Sequence, residues 1–233
     1  MPDTILVVAA HPDDIDFGAA GTIASWTDAG ARVAYCIVTD GDSGGFDRSQ
    51  SRADLARIRR SEQEAAAKVV GVDEVLFLGY PDGRLTASLE LRRDLSRVIR
   101  TIRPGRVMGP TPERNWQSIY ASHPDHLACG EAMMAAVYPD SRNPFAHPEL
   151  LADGLEPHVV PEVWLQASPR PNHGEEVTEQ FARKMEALRC HVSQHPEPDQ
   201  LDERMQAWGA WVAATFGLAD GRMAEAFQIV ATA

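Results

Sequence analysis

The run Ile5 to Ala9, followed after Ala10 by His11-Pro12-Asp13-Asp14, constrains this chain more than any other feature. A continuous stretch of aliphatic and β-branched residues without polar alternation suits a strand buried on both faces, as in a parallel sheet covered by helices. The proline cannot donate to a ladder, so the strand ends there. Parallel neighbours need crossover connections, commonly helices, and the following sequence supplies them. Phe17 to Ala29 reads as a helix closed by Gly30, Arg32 to Thr39 as a strand, and Arg52 to Val70 as a helix ended by Gly71. Val75 to Leu78 reads as the third strand, with a Pro81-Asp82-Gly83 turn behind it. Leu89 to Ile102 is the next predicted helix, Arg106 to Met108 the start of a short strand, and His126 to Val137 a further helix. The alternation predicts an α/β fold, a Rossmann-like and mostly parallel sheet with helices on both faces. From Pro139 to Pro171 the chain is proline-rich, with a strand at Val159 to Gln166. Helices at Val177 to Arg189 and Leu201 to Phe216 then form a smaller C-terminal α/β portion. The proline-rich stretch has too little glycine and serine for a free linker, so residues 1–233 are expected to be one domain.

Ligands of open α/β sheets bind beyond the carboxyl ends of the strands, which is where His11 to Asp14 falls. An imidazole and two carboxylates share four residues at a rigid turn. Asp14 can share an ion with His11 while Asp13 points elsewhere and acts as a base. A second cluster, His123-Pro124-Asp125-His126, follows an irregular loop at a helix start. Either His-Pro-Asp alone is as readily a turn, with proline fixing φ and aspartate capping the next helix. The same triplet twice, each time where a helix begins, favours a metal site. Catalytic zinc takes about three His, Asp or Glu ligands and leaves a position open. Two histidines and a carboxylate also suit ferrous iron.

At this level of detail the sequence resembles the PIG-L or LmbE-like deacetylases. Ala10 to Asp14 matches that family's first motif and His123 to His126 its second. Arg59-Arg60-Ser61-Glu62 with Ala65, Ala66 and Gly71-Val72 resembles its Arg-x-x-Glu helix. Phe77-Leu78-Gly79 with Asp82-Gly83 resembles its next strand and acidic loop, and Lys184, Ala187-Leu188 and His191-Val192-Ser193-Gln194 its C-terminal signature. The resemblance implies that His11, Asp14 and His126 hold zinc and that Asp13 is the general base. It implies further that His123 stabilises the oxyanion, with Asp125 orienting His123. Arg59 and Asp82 match positions that contact sugar hydroxyls in some members. Glu176-Val177-Thr178 departs from the family's Asp-Val-Thr, and Tyr120 stands one residue further from His123 than a tyrosine some relatives use. Either Asp13 or His123 can supply the proton to the leaving amine.

The expected reaction is hydrolysis of an N-acetyl or other N-acyl group from a small amino sugar or glycoconjugate. Two alternatives stand beside it: an amidase acting on a larger conjugate, in the manner of mycothiol conjugate amidases, and a sugar- or nucleotide-binding protein without turnover. Asp40-Gly41-Asp42-Ser43-Gly44-Gly45 lacks the lysine of a phosphate loop and reads instead as a pocket wall whose glycines let a sugar approach. The 34 acidic against 22 basic residues give a net charge of −12, which argues against nucleic acid and anionic membrane as partners and allows homo-oligomeric association. Cys36, Cys129 and Cys190 form no CxxC pair and fit a reducing, cytoplasmic setting.

Overall fold

The computed structural model describes residues 3–47, 49–195 and 198–233. Among these, seven strands form one sheet: β1 (Thr4–Ala9), β2 (Arg32–Thr39), β3 (Glu74–Tyr80), β4 (Arg106–Pro110), β5 (Glu162–Gln166), β6 (His173–Glu176) and β7 (Ala224–Ala231), in the order β3-β2-β1-β4-β5-β7-β6. The first five in that order are mutually parallel, with Leu6 opposite Ala34, Val7 opposite Met108 and Val107 opposite Val163. β7 is antiparallel to both β5 and β6. The helices are α1 (Asp14–Asp28), α2 (Arg52–Val69), α3 (Leu89–Ile102), α4 (Pro124–Ala135), α5 (Pro148–Ala152), α6 (Phe181–Arg189) and α7 (Pro198–Thr215).

β1 lies at the centre, and its alternating side chains divide the core in two. Ile5, Val7 and Ala9 pack with Ile15, Ala19 and Ile23 of α1 and Ala66 and Ala67 of α2. Leu6 and Val8 pack on the opposite side with Leu91, Leu95 and Ile99 of α3 and Cys129 and Met133 of α4. Successive residues of a strand face opposite sides, so a segment buried on both must be apolar throughout, as Ile5 to Ala9 is.

The structure begins α1 at Asp14, directly after the first His-Pro-Asp triplet with Asp13 as its N-cap, and begins α4 at Pro124, inside the second. α6 begins at Phe181, four residues later than the sequence suggests, and β5 is confined to Glu162–Gln166. The sequence pattern does not reveal β6 and β7. In β7 the buried positions include a charge, Glu225, which hides the apolar alternation. That carboxylate accepts hydrogen bonds from Gly21 N, Thr22 N, Thr22 Oγ1 and Lys184 Nζ. Its burial is compensated by partners that no local pattern reveals.

Candidate active site

The chain leaves β1 for α1 on one side and leaves β4 for α4 on the other. β1 pairs with β2 on one flank and β4 on the other, so its carboxyl end marks the point where the winding reverses, the usual ligand crevice. Asp13, the N-cap of α1, has φ 86° and ψ −28°. This left-handed conformation is costly for a residue with a Cβ, although aspartate tolerates it better than most. Its neighbours hold it there. Asp13 N donates to Gln63 Oε1 (2.8 Å), and Arg59 donates to Pro12 O (2.6 Å) while its Nη2 lies 3.3 Å from Asp13 Oδ2. At the other junction Pro124 opens α4, where a missing N–H costs nothing. His123 caps the helix, its Nδ1 accepting from Asp125 N at 3.3 Å.

The two junctions bring three donors together. His11 Nδ1 lies 3.2 Å from His126 Nε2 and 3.4 Å from Asp14 Oδ2, and His126 Nε2 lies 3.0 Å from Asp14 Oδ1. A tetrahedral ion with bonds of about 2.0–2.1 Å sets its ligand atoms about 3.3–3.4 Å apart. The spacing therefore fits a divalent ion such as zinc. His11, His123 and His126 also bring ring nitrogens close to one another, and His11, Asp82 and Asp125 bring one ring nitrogen close to two carboxylate oxygens. The latter two carboxylates face the other ring nitrogen. His11 Nε2 is 3.1 Å from Asp82 Oδ1 and 3.3 Å from Asp125 Oδ2. An imidazole that turns one nitrogen to an ion and gives its other N–H to a carboxylate is the usual arrangement around bound metals.

The electrostatics agree with a cation's being needed here. Burial by itself would lower the pKa of His11. The charge of Asp14 and hydrogen bonds to Asp125, Asp14 and Asp82 override it and bring the value to about 12. Asp14 is held well below the usual carboxylate range by His126 and His11, against its own burial. Asp82 is likewise lowered to about 2, against burial, by the bond to His11 and the N–H of Ser43. Asp13 moves the other way, to about 6: burial and the Asp14 charge raise it, while Arg59 opposes them. An ion binding at His11 Nδ1 must displace a proton from the ring. Apparent zinc affinity is therefore expected to rise by at least about tenfold per pH unit near neutrality. Zinc titrations at two pH values, with proton release read in buffers of different ionisation enthalpy, measure it.

The structure assembles His11, Asp14 and His126, with His123 exposed beside them and Asp13 next to Asp14 in the chain. Asp125 sits elsewhere than expected. Its carboxylate accepts from Gly83 N (2.7 Å) and Leu85 N (3.2 Å) and faces His11 rather than His123. Residues two apart at a helix start point in different directions, so Asp125 supports the neighbouring motif's histidine. Arg59 and Asp82, expected to meet sugar hydroxyls, are only 4% and 6% exposed and are occupied by protein partners. Arg59 also donates to Gly41 O, and Asp82 Oδ2 accepts from Ser43 N. Two glycines of the loop after β2, Gly41 and Gly44, leave room for Arg59. A Cβ on Gly41 would collide with its guanidinium, and one on Gly44 would come within 2.7 Å of it. Sequence reasoning missed Gln63 and Asp16 altogether; a polar residue on a helix face carries no signal of its distant partner.

Residues 6–137 match the PIG-L family model, described as GlcNAc-PI de-N-acetylase. The chain is 33% identical to the diacetylchitobiose deacetylase of Thermococcus kodakarensis, across 97% of this chain and 82% of that protein. It is 31% identical to a probable N-acetyl-alpha-D-glucosaminyl L-malate deacetylase 2 of Bacillus anthracis, across 82% and 80% of the two chains. The solved structure of N,N'-diacetylchitobiose deacetylase from Pyrococcus horikoshii, in complex with its inhibitor MPG, superposes with a TM-score of 0.90. That match has 31% identity and covers 98% of this chain and 84% of the other.

Proposed function

This chain belongs to the PIG-L family, and from that premise we propose that it hydrolyses the N-acetyl group of a small amino sugar or glycoconjugate at the end of β1. The observation that carries the reading is the convergence of His11, Asp14 and His126 donor atoms within 3.0–3.4 Å, with Asp13 beside them. These three residues would hold a divalent ion, zinc first and ferrous iron as the substitute that the same donors suit. Such an ion supplies Lewis acidity, making water a nucleophile near neutral pH and polarising the amide carbonyl.

The side chains do the rest. Asp13 receives the proton of the attacking water. A carboxylate whose pKa is drawn toward neutrality by burial is suited to take a proton and release it again. The Arg59 guanidinium keeps that carboxylate oriented. His123 Nδ1 accepts from a backbone N–H, so its neutral ring carries the proton on Nε2. Burial and the charges of His11 and His126 lower its pKa. His123 therefore meets the developing oxyanion as a neutral donor rather than as an imidazolium. The proton for the departing amine comes from Asp13, which holds the one taken from the water; a neutral His123 contributes a hydrogen bond and not a proton. Asp82 and Asp125 hold the His11 ring from behind.

Loops after β2 and β4 flank the site and expose aromatic rings, Phe46 (72%) on one side and Trp116 (82%) and Tyr120 (94%) on the other. Flat exposed rings suit the apolar faces of sugars. Trp116→Ala is expected to raise KM about two- to tenfold with kcat nearly unchanged, from about 0.5–1.5 kcal/mol for one aromatic contact. Steady-state kinetics on a disaccharide would show it. Residues 1–233 are read as one deacetylase domain, because strands from both ends of the chain share one sheet. Among the described residues no helix is long and apolar enough to cross a membrane.

The deciding experiment is acetate release from N-acetylated mono- and disaccharides and from larger conjugates, after chelation and after restoring zinc. Zinc-dependent release from the small sugars supports the proposal. Cleavage confined to large conjugates selects the amidase reading, and sugar binding without turnover selects the non-catalytic one.

A further inference from the structure

We propose that Gln63 is a positioning residue for Asp13, set in place by a buried relay that ends at His191; the inference rests on the assignment of Asp13 as base. Gln63 Oε1 accepts from Asp13 N (2.8 Å), Gln63 Nε2 donates to Asp16 Oδ2 (2.9 Å), and His191 Nε2 lies 2.8 Å from the same oxygen. Gln63, Asp16 and His191 are each 0% exposed. Asp16 Oδ2 accepts from Gln63 Nε2 and so sets which end of the Gln63 amide faces Asp13. The amide oxygen must then point at the one N–H that the left-handed Asp13 presents inward. His191, bonded to Asp16, keeps that carboxylate in place.

Stability alone does not account for this arrangement. Among the described residues, Asp16 Oδ1 and His191 Nδ1 are buried without a hydrogen-bond partner, a cost that an apolar cluster of the same volume would avoid. The elements that carry the relay are clamped from both sides. Ser193 donates through N and Oγ to Glu62, next to Gln63, and Gln194 Nε2 donates to Gly44 O in the loop that packs on Arg59. The segment after α6 thus reaches Asp13 through α2, and the strained φ of 86° sits where relay and Arg59 meet. Strained residues persist where their surroundings over-determine them. This one is held by its N–H, by the preceding carbonyl and by its carboxylate.

The test compares zinc-loaded wild type with Gln63→Leu, His191→Leu, His191→Gln and Leu95→Ala. Leu95→Ala serves as a destabilised control in the opposite core. Gln63→Leu and His191→Leu are expected to lower kcat per bound zinc about 10- to 100-fold, the size of effect that misplacing a reacting group by about 1 Å produces. KM and zinc affinity should stay within about twofold, because neither residue touches the ligands. His191→Gln, which keeps an amide N–H for Asp16, should recover most of the activity, whereas Leu95→Ala should lose stability without losing kcat. Hydrogen exchange supplies an arm that needs no substrate: the Asp13 amide should exchange at least about tenfold faster in Gln63→Leu. Unchanged exchange at Asp13, or kcat losses matched by Leu95→Ala, would overturn the proposal. Failure of wild type to cleave any N-acetylated sugar would instead count against the assigned reaction.

Discussion

Asp13→Asn is expected to lower kcat about 10²- to 10⁴-fold, the contribution of a positioned general base, while the protein still takes up its ion. Asparagine is the informative substitute because it tolerates φ 86° nearly as well as aspartate. Alanine there would add about 1–2 kcal/mol of backbone strain and confuse a folding defect with a chemical one. The change removes the carboxylate that faces Arg59, but the guanidinium keeps Pro12 O and Gly41 O, so no buried cation is left alone. The ligand atoms belong to His11, Asp14 and His126, so zinc stoichiometry and KM should hold. Kinetics and metal analysis on one preparation check this together. If Asp13→Asn keeps activity within tenfold of wild type, the proton goes elsewhere and the assignment of Asp13 as base fails.

Removing the ion should abolish turnover and lower thermal stability by a large, measurable step. Without a cation the carboxylates of Asp14, Asp82 and Asp125 crowd one imidazole, and the protons on His11 and His126 must offset much of their charge. An ion that binds the folded state alone stabilises it by about 4.1 kcal/mol when present at about 1,000 times its Kd. For a chain of 233 residues, each kcal/mol moves Tm by about 2–4 °C. The expected rise from ion-free to saturated protein is therefore about 8–16 °C. Calorimetry after chelation, then with zinc, ferrous iron or magnesium added back, would also rank the ions. Zinc and iron should act and magnesium, which prefers oxygen ligands, should not. An unchanged Tm with every ion would remove the metal site from the account.

The parts of this protein legible in the sequence are those governed by the chain's own short-range geometry. Ile5 to Ala9 predicts a doubly buried strand because alternate side chains face opposite sides of a sheet. Leu89 to Ile102 and Arg32 to Thr39 appear at the boundaries their patterns suggest. The donor types at the two His-Pro-Asp motifs follow from residue chemistry at the edge where open sheets place ligands. Tertiary structure decided what each polar side chain meets. Asp125 serves His11, which is 114 residues away, and not His123 two positions before it. Arg59 and Asp82 turn inward to Asp13 and His11 instead of outward to a substrate. Gln63, Asp16 and His191 form one chain across 175 residues, and Glu225 makes a buried strand look polar. Backbone conformation and face are set within a few residues, so periodicity reveals them. A buried donor or acceptor is stabilised by whichever partner the packed sheet and helices bring within 3 Å or so, and that partner is fixed only once the elements have assembled.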